Sequence, residues 1–369
     1  MSWSTSKSTR RSFLATSGLG ALSLGALAAC GGTAAAPSGA ASSSAAAAGP
    51  SSVAPGTYGK LSLQLSWIKN IEFAGEYFAD SKGYYKDAGF ESVDLVTGPV
   101  DSADALVVAG TVDVGLSAPD ATARLVAEQG APLKIIGATF QKNPFCILSL
   151  EEGKPIRTLA DLAGKTIGIQ AGTNQSIFEG LLKANNIDPA TIKTTVVQYE
   201  PTPLTEKKID GFMAYLTNEP FIVQAKGFTP VTLSFADNGL PLASETFVVS
   251  QQTLESDRDK LKAFLTAEIK GWNDAVADPA AGAALAAETY GKGLGLDVKG
   301  QTQQLEAQLK LIVSDDTKAN GLFTLTDDFQ AKIVAAIGAL GTQITAADLF
   351  DMSLLSEIYA ADPSLIVKG

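Results

Sequence analysis

From Leu61 to Leu233 the chain alternates short period-two apolar runs with helix-length segments, and after Thr253 the strand pattern stops. No other feature limits the possible folds so sharply, because strands and helices alternating through short connections build a parallel-rich α/β sheet. Leu61-Ser62-Leu63-Gln64-Leu65 opens the series as a strand. A helix over 74–81 follows and stops at Gly83, a residue suited to a left-handed cap. Val93–Val96 is the second strand, Asp101 or Ser102 caps a helix through Val108, and 112–116 is the third strand. Ser117 is expected to cap a helix over 119–129, ahead of a fourth strand over 133–139.

The pattern restarts near Glu151. A capped turn spans Thr158–Leu162, then a strand over 166–169, a helix over 174–185, and strands over 194–199 and 211–215. A helix over 219–226 and a strand over 230–233 close this second unit, and 246–249 is again strand-like. The remainder reads as helices over 254–276, 279–290, 301–313, 327–340 and 346–360. Two α/β units followed by a helical tail is the order of a chain that leaves one lobe, builds a second and returns. The expected division is 58–149 plus 244–369 for lobe one and 150–243 for lobe two, with crossings near 148–151 and 243–249. Two crossings make a hinge, and the cleft between lobes is the expected ligand site.

The first 57 residues read differently. Residues 1–29 join a basic start (Lys7, Arg10, Arg11), free of acids, to an apolar run from Phe13 to Ala29, the layout of an export signal peptide. That run is too short and too weakly apolar for a good transmembrane helix. Arg10-Arg11 resembles a twin-arginine signal. Leu27-Ala28-Ala29-Cys30 resembles a lipobox, in which Cys30 becomes the lipid-bearing N-terminus. Residues 30–57, rich in Ala, Ser, Gly and Pro and without charge, should be a flexible tether. The expectation is an exported lipoprotein on the outer face of the cytoplasmic membrane.

Loss of the signal's three cations would take the formal charge from −11 to −14. An acidic surface argues against nucleic acid and against lying on anionic lipid, so the lipid on Cys30 would be the membrane contact. The chain has no histidine. That removes Ser-His-Asp and Cys-His nucleophiles, histidine zinc sites and imidazole proton relays; carboxylate-only chemistry stays open, and the expectation is a protein that is not an enzyme and holds no metal or cofactor. The second cysteine, Cys146, sits in the apolar run Phe145–Leu148 and reads as a buried, inert thiol.

Several motifs carry a resemblance. Trp67 follows the first strand, and Glu72-Phe73-Ala74-Gly75 opens the helix after it. Lys82-Gly83-Tyr84-Tyr85 leads to Gly89-Phe90, Gly110-Thr111-Val112-Asp113-Val114-Gly115 reads G-x-x-D-x-G, and Leu159 to Gly168 reads L-x-D-L-x-G-K-x-I-G. Ile209-Asp210-Gly211 and Thr217-Asn218-Glu219-Pro220 complete the order. Together, from Leu61 to about Pro279, the chain resembles the periplasmic-binding-protein fold of ABC importers. It is most similar to the subfamily of thiamine-pyrimidine-precursor, riboflavin, alkanesulfonate, taurine and nitrate binders. The resemblance implies a two-lobed α/β fold with two hinge crossings and a C-terminal helical segment packed on lobe one. It implies a monomer that hands a small-molecule ligand to an ABC permease and its ATPase. Asn218-Glu219-Pro220 with Trp67 is more typical of the pyrimidine and flavin-precursor binders, so a heteroaromatic vitamin precursor is the expected ligand. The alternatives are a sulfonate, taurine or nitrate binder, and a ligand-sensing lipoprotein that feeds a receptor. The family often carries His or Asn where Glu72 and Phe73 stand. The same fold resembles a pyrimidine-synthesising enzyme that uses pyridoxal phosphate and its own histidine, which this chain lacks.

Candidate site residues follow from position at strand ends, where α/β proteins bind ligands. Trp67 either stacks on a flat ring or packs between the lobes. The amides of Phe73, Ala74 and Gly75 either receive an electronegative atom or simply start a helix. Asp120, with Ser117 just before it, either holds an amine or complements the helix dipole. Gly172, Thr173 and Asn174 form a glycine turn at a third helix start. Tyr215, Asn218 and Glu219 follow a strand end in lobe two, and the resemblance makes Glu219 the ligand-binding carboxylate; a cap or salt bridge is the alternative. Phe140 either completes an aromatic slot or packs. These loops hold Glu72, Asp120 and Glu219 against Lys69 alone, which favours a neutral or amine-bearing ring over a small anion.

Overall fold

A computed structural model describes residues 53–171 and 173–367 of the chain. The expected export signal, Cys30, Gly172 and most of the expected tether lie outside the described residues. The last tether residues form a turn ending at Tyr58, whose N–H donates to the Gly89 carbonyl (3.0 Å) and whose ring lies 5.6 Å from that of Phe90.

The first sheet contains β1 (Lys60–Gln64), β2 (Ser92–Val96), β3 (Val114–Ser117) and β4 (Leu133–Phe140). Its helices are α1 (Ala74–Ser81), α2 (Tyr84–Asp87), α3 (Ala103–Val108) and α4 (Pro119–Gln129). Some boundaries have a clear local cause. Ser102 accepts from the Ala105 N–H and starts α3, and Gly130 ends α4 in the left-handed region. The expected cap at Ser117 is not formed: Ser117 is still strand, Ala118 precedes α4, and Pro119 starts the helix without needing a capped N–H. Ser117 Oγ donates instead to Asp104.

The second sheet contains β5 (Phe145–Leu150), β6 (Thr166–Gln170), β7 (Lys193–Val197), β8 (Gly211–Tyr215) and β9 (Pro230–Ser234). Helices α5 (Thr173–Ala184), α6 (Thr202–Thr205) and α7 (Glu219–Ala225) accompany it. The strand β10 (Ser244–Ser250) then returns to the first sheet. The strand orders are β2-β1-β3-β10-β4 and β7-β6-β8-β5-β9. In each sheet the fourth strand is antiparallel to both neighbours, and it is the strand that enters from the other lobe.

This arrangement positions the cleft. β4 ends at Phe140, and β5 begins at Phe145 opposite Tyr215, the last residue of β8. β9 ends at Ser234, and β10 begins at Ser244 opposite Phe140. Both crossings therefore join the carboxyl edges of the parallel strands, where α/β folds place ligands. The crossings are 141–144 and 235–243, both earlier than the expected 148–151 and 243–249, because Phe145–Leu150 pairs wholly within the second sheet and Ser244–Ser250 within the first.

The tail comprises α8 (Gln251–Ser256), α9 (Arg258–Ala277), α10 (Pro279–Ala284), α11 (Val298–Ile312), α12 (Asp315–Asn320), α13 (Asp327–Leu340), α14 (Ala346–Leu349) and α15 (Ser353–Ala361). It covers the first sheet, and its apolar faces share two clusters of buried side chains with β1, β3, β4 and β10. Leu340 reaches the core of the second lobe, against Gly180. Cys146 is fully buried in β5, and burial pushes its thiol well up. No helix among the described residues is long and apolar enough to cross a membrane.

Candidate ligand-binding site

The facing strand edges enclose a cavity of about 200 Å³. Lobe one contributes Ser66 and Trp67 after β1, Glu72, the 99–102 loop after β2, Asp104 on α3, and Ser117 at the end of β3. Lobe two contributes Phe145, Gln170 at the end of β6, Asn174 on α5, Tyr199, Tyr215 at the end of β8, Asn218 and Glu219. Ser244 and Glu245, at the start of β10, line it from the crossing.

Six candidates from the sequence thus share one wall-to-wall cavity: Trp67, Ser117, Asn174, Tyr215, Asn218 and Glu219. Trp67 meets Tyr199 edge-on from the opposite lobe, ring centroids 4.6 Å apart. Tyr215 meets Phe145 edge-on at 4.6 Å, and its hydroxyl lies 3.4 Å from Ser244 Oγ. Asn174 Nδ2 donates to Gln170 Oε1 (2.9 Å), and Gln170 Nε2 donates to the Met213 carbonyl (3.0 Å), so the α5 start is tied to β8. Glu219 begins α7 and accepts from the Tyr215 N–H (2.8 Å) and from Asn218 Nδ2 (3.2 Å). Its carboxyl therefore braces the β8–α7 loop while also facing the cavity.

The other candidates stand elsewhere. Phe73 and Ala74 are buried in the lobe-one core, and Gly75 is covered by the Trp272 ring. Their helix start is satisfied by the protein itself. Asn70 Oδ1 accepts from the Glu72 N–H (2.9 Å), Gln301 Oε1 accepts from the Ile71 N–H (2.8 Å), and the Ala74 N–H donates to the Ile71 carbonyl. Phe140 is fully buried behind Tyr215, 6.4 Å away. Asp120 is buried beside Arg124, Oδ2 to Nη2 3.8 Å, off the cavity wall. Gly172 lies outside the described residues, and Thr173 is the first residue of α5.

Sequence reasoning passed over Glu245, Tyr199, Gln170 and Asp104, and noted Glu72 for its charge and as a departure from the family pattern without placing it among the site residues. Asp104 is buried and accepts from Thr122 Oγ1 (2.6 Å) and from Ser117 Oγ. The cavity wall carries five acids, Glu72, Asp101, Asp104, Glu219 and Glu245, and no lysine or arginine among the described residues. Burial raises Glu219 to about 7 and Glu245 to about 7. Glu72 is raised too, first by burial and then by the like charges of Glu245 and Glu219. Near neutral pH these groups can be hydrogen-bond donors or acceptors, or pair with a cation. No group of His, Cys, Asp and Glu among the described residues is arranged to hold a metal ion.

Two mixed sheets of like order, joined by two crossings around one cleft, define the class as the two-lobed periplasmic-binding-protein fold. Solved structures agree in fold. A protein of Bordetella bronchiseptica RB50 matches with TM-score 0.64 at 16% identity, over 82% of this chain and 98% of that one. The periplasmic nitrate-binding protein of Synechocystis PCC 6803 matches with TM-score 0.61 at 14% identity, over 83% and 90%. Residues 70–282, more than half of the chain, match the NMT1/THI5-like family, and the chain belongs to it. A riboflavin-binding protein of Chloroflexus aurantiacus is similar, 26% identical over 308 residues, covering 80% of this chain and 86% of that protein.

Proposed function

We propose that the chain is an extracytoplasmic solute-binding protein of an ABC importer, and that it captures a small nitrogen heteroaromatic ring, an aminopyrimidine or a flavin. One observation carries the ligand class: a cleft walled by Trp67, Tyr199, Phe145 and Tyr215, with five acids and no lysine or arginine among the described residues. Aromatic faces suit a flat ring, and carboxyls suit ring N–H groups and exocyclic amines. A sulfonate or nitrate needs cationic or N–H donors, which this wall does not supply as side-chain charge. The similarity to a riboflavin-binding protein supports the same reading. Closure of the lobes would bring the lobe-one and lobe-two walls onto the two sides of the ring, and the protein would act without chemistry on its ligand.

Isothermal calorimetry with riboflavin, 4-amino-5-hydroxymethyl-2-methylpyrimidine, taurine and nitrate tests this. Binding of a ring and not of the anions is expected, with Trp67→Ala weakening it at least about tenfold through lost stacking. Binding of taurine or nitrate alone overturns the ligand class.

The lipid tether belongs to the same proposal. Cys30→Ala should move the protein from the membrane fraction to the soluble exported fraction, and replacing Arg10 and Arg11 by Lys should block export. Unchanged fractionation of both variants would refute the lipoprotein and twin-arginine readings.

A further inference from the structure

Glu245 combines three features. It is the second residue of β10, the strand through which the chain re-enters lobe one, next to Ser244, which pairs with Phe140 where β4 leaves for lobe two. Its backbone is left-handed, with φ 49°, a conformation that L side chains avoid and that glycine adopts freely. Its side chain is 3% exposed and lines the cavity beside Ser66 Oγ and the Glu72 carboxyl, and Oε2 makes no hydrogen bond of ordinary geometry. Ser66 Oγ, on the same wall, is likewise buried without a well-formed bond.

A buried carboxyl oxygen without a well-formed hydrogen bond is unfavourable, and so is a left-handed glutamate. The fold carries both burdens in one residue, at the junction of the two crossings and on the ligand cavity. Nothing in the sheet requires an acid there: the neighbours Ala243, Ser244, Thr246 and Phe247 are all buried and uncharged. By contrast, Glu219 on the opposite wall has both oxygens engaged by its own loop. The unmet capacity lies on the lobe-one side, at the hinge.

We propose that Glu245 is the specificity-determining residue of this cleft: it accepts hydrogen bonds from an N–H edge of the ring and so ties ligand choice to the hinge. The proposal rests on the ring-binding reading above. The ligand class it selects is a heteroaromatic ring with a ring N–H or an exocyclic amine aimed at β10. A ring of the same shape whose edge only accepts, or is methylated, leaves the carboxyl unpaired and is rejected.

The test compares two pairs of probes: riboflavin against 3-methylriboflavin, and 4-amino-5-hydroxymethyl-2-methylpyrimidine against the same ring without its amine. The wild type should favour the N–H member of the pair it binds by about 30-fold or more. Glu245→Gly removes the carboxyl and accommodates the left-handed backbone. It should reduce the preference to within about threefold, while its unliganded thermal midpoint stays at or above that of the wild type. Glu245→Gln, which keeps an accepting oxygen, should fall between the two.

A wild-type protein that binds both members of a pair equally, with binding still lost in Trp67→Ala, overturns the role of Glu245 and leaves ring binding standing. A Gly variant that keeps the wild-type preference overturns it as well. Failure of the wild type to bind any of the four rings overturns both readings.

Discussion

Gly271→Ala is expected to lower the thermal midpoint by roughly 5–10 °C, although it adds one methyl group. Gly271 lies on α9 where that helix crosses α1. A Cβ there would fall inside the van der Waals distance of the Gly75 carbonyl oxygen, and 2.9 Å from the Ala79 amide nitrogen. Both obstacles are backbone, so no side chain can swing away. The helices would have to separate, exposing Tyr77 and Trp272, which are fully buried between α1, α9 and their neighbours. Overpacking of this kind costs about 3 kcal/mol, occasionally more. Gly338→Ala is the internal control. Gly338 is in α13 with ordinary backbone, and its nearest outside neighbour would be Gln343 Nε2 at 3.7 Å. There the same change should stabilise, by about 0.5–1 kcal/mol of helix propensity. Differential scanning calorimetry of the two variants should give shifts of opposite sign. Equal shifts would mean that the α1–α9 approach is looser than described.

That contact also marks where sequence reasoning ends. Period and caps are local, so the α1 range of 74–81 and the β8 range of 211–215 were legible residue by residue, and the α3 cap to one of two neighbours, Asp101 or Ser102. Sheet membership is not local. Phe145–Leu150 is buried on both faces and has no alternation, so nothing in its own residues says which lobe it joins. The tail shows the same limit on a smaller scale: the expected helix over 254–276 is two helices broken at Asp257, and 346–360 is two more.

The cleft was legible where the rule about strand ends applies. Trp67, Ser117, Tyr215 and Glu219 sit at or just past the carboxyl ends of parallel strands, and all four line the cavity. Phe73, Ala74 and Gly75 satisfy much the same rule but are sealed by residues remote in sequence. Gln308, 236 positions from Glu72, donates to its carbonyl, and Trp272 covers Gly75. Glu245 escapes for the opposite reason. It begins an antiparallel strand, so its amino end, not its carboxyl end, faces the cleft. The one readable signal was an acid inside the apolar stretch from Leu242 to Val249.

Stability should fall as pH rises from about 5 to about 8, and Glu268→Gln should flatten much of that slope. Glu76 on α1 and Glu268 on α9 are buried in the lobe-one core, 1% and 0% exposed. Glu268 accepts from the Tyr85 hydroxyl (2.5 Å), while Glu76 Oε2, near the Trp272 indole N–H, and Glu268 Oε2 make no hydrogen bond of ordinary geometry. Burial pushes Glu268 up to about 8, and burial together with the Glu268 charge raises Glu76 well above an ordinary carboxyl. The folded protein therefore holds protons that the unfolded chain has released above about pH 4.5. Stability from these groups is complete below that value and is lost as pH climbs toward the folded value. Each proton so held contributes a slope of about 1.4 kcal/mol per pH unit. Glutamine has the same shape and needs no proton, so Glu268→Gln should melt several degrees above the wild type at pH 8 and close to it at pH 5. A residual slope should persist, because Glu72, Glu219 and Glu245 are raised as well. Urea denaturation at pH 5, 6.5 and 8 measures the effect directly. Stability that is flat or rising across this range would mean that the pair is ionised within the core, against the large desolvation that such burial imposes.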